Sequence, residues 1–244
     1  MHKLGHTRSS YRRDHLLQTP DTFIRAPLPG MAGCTAIVHA GPALGAAFTQ
    51  YTAEMEEGGC LGPTDAQRFL YVLDGQIVLQ TRQEEHILCT RGFAYIPVDS
   101  DAKIRAHEKS RVAVIEKAYR KLDGTASPEV FVGSEGAVAS QPLMGDEDLQ
   151  VRSLLPNTDA YDFAVNTMTY QPGASLSMVE IHVMEHGLLM LEGSGIYRLG
   201  ENWYPVFAGD FIWMAPYCPQ WFGALGKTPA RYLIYKDWNR HPLA

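Results

Sequence analysis

The sequence predicts an all-β chain made of two similar halves, and three observations predict it. Short apolar runs alternate with turn signals, which is the pattern of many brief strands rather than of helices. Glycine and proline, 22 and 15 of them in 244 residues, punctuate the chain throughout. One block also recurs: residues 70–79 followed by 92–97 are echoed by 188–197 followed by 209–216, at an offset near 118 positions (193 minus 75).

Taken in order, the chain opens on a polar arm in which Arg8, Arg12 and Arg13 read as a solvated terminal segment. Phe69, Leu70, Tyr71 and Val72 form an apolar strand that ends near the turn residue Gly75, and Phe93 to Ile96 form a second. The stretch 122–156 is rich in Gly, Ser, Pro and acidic residues and reads as a linker. The expected division is residues 1–125 as an amino-terminal barrel with its leading arm, 126–156 as linker and start of the second half, and 157–244 as the carboxyl-terminal barrel.

The second half carries the chemistry. Glu180, His182 and His186 fall within seven positions. A period of two puts Leu176, Met178, Glu180 and His182 on one face of an extended segment, and the run 187–193 reads as a buried strand that begins beside His186 and turns at Gly193. A helix would also bring His182 and His186 together, but it would turn Glu180 away and has Gly187 and Gly193 at hand to break it. Gln220 follows the turn Gly209-Asp210, an apolar strand 211–214 and a proline loop, and is the fourth candidate donor. A carboxylate, two imidazoles and an amide oxygen, with no thiolate, suit a hard-to-borderline divalent ion such as Mn²⁺ or Fe²⁺. Glu185, by alternation, faces away from this set, either as a solvated group or as one that packs behind the donors. The offset maps positions 186, 182, 180 and 220 onto Arg68, Thr64, Gly62 and Ala102, so the first half lacks the donors and reads as structural.

Composition narrows the function classes. A formal charge of -6 argues against a nucleic-acid surface. Cys34, Cys60, Cys89 and Cys218 form neither a metal motif nor a disulfide framework, so Cys218 is expected to be a buried thiol and not a nucleophile. No stretch has the apolar length of a signal peptide or membrane helix, and cytoplasmic residence without membrane contact is expected. Aromatics such as Trp203 and Trp221 suggest subunit contacts and a homo-oligomer.

Gly173, Glu180, His182, His186 and Gly193, then Gly209, Pro216 and Gln220, resemble the two motif blocks of the cupins. That resemblance implies a bicupin, two antiparallel jelly-roll β-barrels in tandem. The donor order Glu, His, His, Gln departs from the usual cupin set. Together with Tyr11 to Leu17, Phe69 to Val72, Asn202 to Val206 and Tyr235 to Arg240, it resembles the (S)-ureidoglycine aminohydrolases, manganese-dependent bicupins of purine and allantoin breakdown. The resemblance covers nearly the whole chain. It implies a small ureido substrate, with (S)-ureidoglycine hydrolysed to (S)-ureidoglycolate and ammonia. It further implies Mn²⁺ held by Glu180, His182, His186 and Gln220, catalysis by Glu180 and Lys236, and substrate contacts from Tyr197, Tyr232 and Lys236. The alternatives are another metal-dependent cupin enzyme, of the oxalate decarboxylase or dioxygenase kind, and a non-catalytic metabolite-binding barrel.

Overall fold

The computed structural model describes residues 5–242, and its regular structure is antiparallel strand with three short 3-10 turns. No helix in it is long and apolar enough to cross a membrane. The chain divides into two compact units. One comprises residues 24–139 and 154–162; the other comprises residues up to Phe23, 140–153 and those from Phe163 onward.

In the first unit a nine-stranded sheet wraps around its own core. Gln67–Asp74 lies between Gly92–Ile96 and Ser110–Lys117, and is buried over its first six residues, which is why it reads as a continuous apolar run. Leu70, Val72, Ile77, Leu79, Val112 and Val114 interdigitate inside. In the second unit an eight-stranded sheet and the three-stranded sheet Asn202–Phe207, Ser194–Leu199, Gln220–Ala224 enclose Met190, Tyr197, Ile212, Phe222, Tyr232 and Ile234. There His186–Glu192 lies between Phe211–Met214 and Ala230–Asp237, the same neighbour pattern as Gln67–Asp74 has. The repeat is therefore a repeat of pairing. Its turn glycines are required: Gly75 (φ 81°) and Gly193 (φ 71°) are left-handed, and an added Cβ would stand 2.5 Å from the Lys109 carbonyl and 2.4 Å from that of Pro229.

Three expectations need correction. The leading arm belongs with the carboxyl-terminal unit, because His15–Gln18 pairs with Phe211–Met214. Arg8 is no free surface charge: it donates twice to Asp210, at 2.7 and 2.8 Å, donates to the Pro205 carbonyl at 3.0 Å, and lies over the Phe207 ring. The stretch 122–156 is not a plain linker, since it holds Phe131–Ser134, which extends the first sheet, and Gln141–Leu143 and Asp146–Ser153, which extend the second. Phe131–Ser134 and Gln141–Leu143 are short edge strands, and all three sequences are polar and largely exposed, so they carry little apolar signal.

The first unit also contains a buried acid-sensitive group. His39 is 4% exposed, with Nε2 2.9 Å from the Thr52 hydroxyl, and burial, aided by the Arg111 charge, lowers its pKa to about 3. Unfolded histidine titrates near ~6.5. Between those values the unfolded chain binds a proton that the native chain refuses, so stability rises with pH across that window and is flat above it, by up to about 1.4 kcal/mol per pH unit. His39→Asn is expected to reduce the slope of denaturant midpoint against pH between 4 and 6.5; an unchanged slope assigns the acid sensitivity elsewhere.

Candidate metal centre

His186 opens the strand His186–Glu192 and is paired to Met214 on one side and Lys236 on the other. Its Nδ1–H donates to the Tyr235 carbonyl at 3.0 Å, which fixes the tautomer and leaves the Nε2 lone pair facing inward. Burial, with the neighbouring His182 and Lys236 acting in the same direction, lowers its pKa to about 3, so it stays neutral and able to ligate at physiological pH. His182 Nε2 stands 3.4 Å from His186 Nε2, with the two rings nearly perpendicular. Gln220 starts the strand Gln220–Ala224, is buried, and places its side-chain amide 2.8 Å from His182 Nε2. Its main chain exchanges two hydrogen bonds with Glu180, of 2.9 and 3.0 Å, which sets the Glu180 carboxylate 3.8 Å from His182 Nε2. The four residues therefore converge.

The path of the chain differs from the expected strand. Residues 175–182 form no continuous strand: they bend at Ser177 and Met178, meet their neighbours at isolated bridges of Ser175 and Glu180 and through the Leu176 N–H on the Phe222 carbonyl at 2.9 Å, and leave Met178 56% exposed. Alternation survives locally, with Ile181 and Val183 facing out while Glu180 and His182 are half-buried. The loop that carries Gln220 is held against this segment: Tyr217, left-handed at φ 63°, donates its N–H to the His182 carbonyl at 2.8 Å.

The donor set fits a cation better than it fits itself. With Nδ1–H of His186 committed, its Nε2 is an acceptor. His182 Nε2 must therefore donate to it, and then faces the Gln220 N–H donor to donor; left bare, it meets the His186 lone pair instead. Turning the Gln220 amide over presents Oε1, so that an amide oxygen and the imidazole nitrogen of His186 both face His182 Nε2, with the Glu180 carboxylate 3.8 Å from the same atom. His182 Nδ1 is buried without a partner.

Around this quartet lies a tyrosine cluster. Tyr197 and Tyr232 are fully buried, and the Tyr232 hydroxyl lies 2.7 Å from that of Tyr170, a residue that sequence reasoning missed. Burial, with the Glu180 charge adding to it, raises the pKa of all three phenols well above the usual range and keeps them protonated. Phe222 packs against all three rings. Lys236 holds Nζ 3.9 Å above the Trp238 ring; burial lowers its pKa, against the pull of Glu180 upward. Of the two expected settings of Glu185, solvated or packed behind the donors, the first is excluded: it is buried and accepts from Trp213 Nε1 at 2.6 Å. Cys218 is buried with its pKa raised to about 11, chiefly by that burial, which makes it a poor nucleophile. A second group missed from sequence, Asp14, His15 and Cys218, has donor atoms within 4.8 Å of one another. His15, however, already uses both ring nitrogens, on Asp14 and on the Tyr204 hydroxyl, each at 2.9 Å. The quartet is the better cation site.

An antiparallel barrel that gathers histidines, a carboxylate and an amide at one end is the architecture of a cupin, and the cupin domain profile matches residues 166–235. Over 98% of its length the chain is 44% identical to the (S)-ureidoglycine aminohydrolase of Arabidopsis thaliana and 43% identical to the probable (S)-ureidoglycine aminohydrolase of Oryza sativa, covering 80% and 78% of those proteins. The crystal structure of a putative glyoxylate induced protein from Pseudomonas aeruginosa superposes with a TM-score of 0.90 at 31% identity, over 99% of this chain and 94% of that one. The chain belongs to the (S)-ureidoglycine aminohydrolase family.

Proposed function

We propose that the chain hydrolyses (S)-ureidoglycine to (S)-ureidoglycolate and ammonia at the Glu180, His182, His186 and Gln220 centre, as a manganese enzyme of bicupin build. The observation that carries this reading is the convergence of those four side chains, in a chain 43–44% identical to proteins of that activity. A bound Mn²⁺ supplies a Lewis-acid centre able to chelate the amine and carboxylate of an α-amino acid, which fixes the enantiomer accepted. Glu180 takes a proton from the attacking water and returns it to the departing nitrogen. A C–O bond forms, the C–N bond breaks, and ammonia leaves. Lys236, cationic and partly buried, holds the carboxylate or ureido carbonyl of the substrate. Tyr197 and Tyr232, held neutral, offer hydroxyls to the ureido group, with Tyr170 fixing the Tyr232 hydroxyl. Phe222 and the rings around it keep bulk water off this wall.

The same reading makes the protein a cytoplasmic homo-oligomer that binds neither nucleic acid nor membrane. Its support is four free cysteines and exposed apolar side chains, among them Trp203 at 58% on an edge strand and Ile181 at 60%. The deciding experiment measures ammonia from freshly generated (S)-ureidoglycine, using chelator-treated protein before and after added Mn²⁺. Activity that is lost and then restored is expected. Absence of ammonia with Mn²⁺ present, or oxygen uptake in its place, overturns the reading.

A further inference from the structure

A cavity of about 950 Å³ opens in the unit of residues 24–139, and Gly62, Thr64, Arg68 and Ala102 are among the residues that line it. These are the positions that the internal repeat matches to Glu180, His182, His186 and Gln220. Strand register carries the match into three dimensions. Arg68 is paired to Ile96 on one side and Glu116 on the other, as His186 is to Met214 and Lys236. Where one barrel has histidine and lysine, the other has arginine and glutamate.

Arg68 is 6% exposed and firmly held. Nε donates to Glu116 Oε1 at 2.7 Å, while Nη2 reaches the same oxygen at 2.6 Å and the Gly62 carbonyl at 2.9 Å. The Tyr51 hydroxyl donates to that carboxylate at 3.1 Å. Nη1, with two N–H groups, bonds neither acceptor. Glu116 balances the charge of this guanidinium, but its spare Nη1 donors, fixed at the wall of a roomy cavity, offer a carboxylate charge-assisted hydrogen bonds in the guanidinium plane. Leu61, Ile96 and Ile104 supply an apolar wall, and the rim sets Lys103 and Arg105 against Glu57, Glu85 and Asp101, the last ion-paired to Arg82 at 2.8 Å, so the rim charges do not choose between ligands. Arg68 does.

We propose that this cavity is a second small-molecule site, which takes an organic carboxylate of compact apolar body against Arg68. The site belongs to the unit of residues 24–139 and the proposed hydrolytic centre to the other unit. Calorimetric titration of the full chain with benzoate, and with benzamide as its neutral shape match, tests it. Saturable benzoate binding is expected, at least ~10-fold tighter than benzamide. Ala102→Phe, just before the strand Lys103–Ala106, puts a phenyl ring on the cavity wall and is expected to weaken benzoate by at least ~10-fold. Arg68→Lys keeps a cation for Glu116 but loses the fork, and is expected to weaken benzoate as well; should that variant not fold, Ala102→Phe decides. Glu180→Ala is expected to leave benzoate binding unchanged. No saturable binding, equal affinity for benzamide, full affinity in Ala102→Phe, or loss of the heat in Glu180→Ala each overturns the proposal.

Discussion

Glu180→Gln is expected to lower ammonia release from (S)-ureidoglycine by ~10²–10⁴-fold, the range over which a positioned general base contributes. The substitution keeps side-chain length and leaves intact the two main-chain hydrogen bonds between residues 180 and 220, so the loop and the Gln220 side chain stay in place. What it removes is the negative charge. In the native chain that charge sits half-buried, 3.8 Å from the nearer imidazole, beside two histidines of which the deeper, His186, burial holds neutral. Gln offers a divalent ion a neutral amide oxygen where Glu offers an anionic one, so the metal content of purified Glu180→Gln, measured with the rate, should fall too. Full activity in this variant would remove Glu180 from the mechanism. A large loss of rate at undiminished metal content would assign it to proton transfer alone.

Much of this site is legible in sequence because its geometry is local. Glu180, His182 and His186 are close along the chain, and Gln220 follows a buried strand, Phe211–Met214, whose apolar residues and preceding Gly209-Asp210 turn mark it without help from the rest of the fold. The central strands Gln67–Asp74 and His186–Glu192 are legible for the same reason: they are apolar on both faces and end at glycines that no other residue can replace. What escapes is set by long-range pairing. Tyr170 ends the strand Phe163–Tyr170, and nothing near it in sequence says that Tyr232, 62 positions on, supplies its hydroxyl partner. Alternation leaves Glu185 either solvated or packed behind the donors; the Trp213 indole that decides between them lies 28 positions away. Arg8 looks like a loose terminal charge until Asp210 is brought to it by the pairing of His15–Gln18 with Phe211–Met214. The exposure of Met178 likewise reflects a segment tied to its neighbours by single bridges, where period two specifies facing only as far as the bridges reach.

Lys236→Met is expected to reduce kcat/KM for (S)-ureidoglycine by ~10–10²-fold with metal content unchanged, since a charge-assisted hydrogen bond to a substrate anion contributes about 1.5–3 kcal/mol. Methionine retains the volume and the contact with the Trp238 ring, and the register of Ala230–Asp237 against His186–Glu192 rests on main-chain bonds that the change does not touch. The loss should appear mainly in KM if Lys236 only anchors the substrate, and in kcat as well if it aligns the reacting carbon. The pH profile separates both from a structural effect. Burial lowers the Lys236 pKa below the ordinary lysine range, although the Glu180 charge opposes that shift. The competent form is the protonated one, so raising pH removes the charge and kcat/KM should decline on an alkaline limb that begins earlier than a free lysine would give. In Lys236→Met that limb should vanish, leaving a lower but flat profile. A limb that persists unchanged in the variant belongs to another group, and the role assigned to Lys236 falls with it.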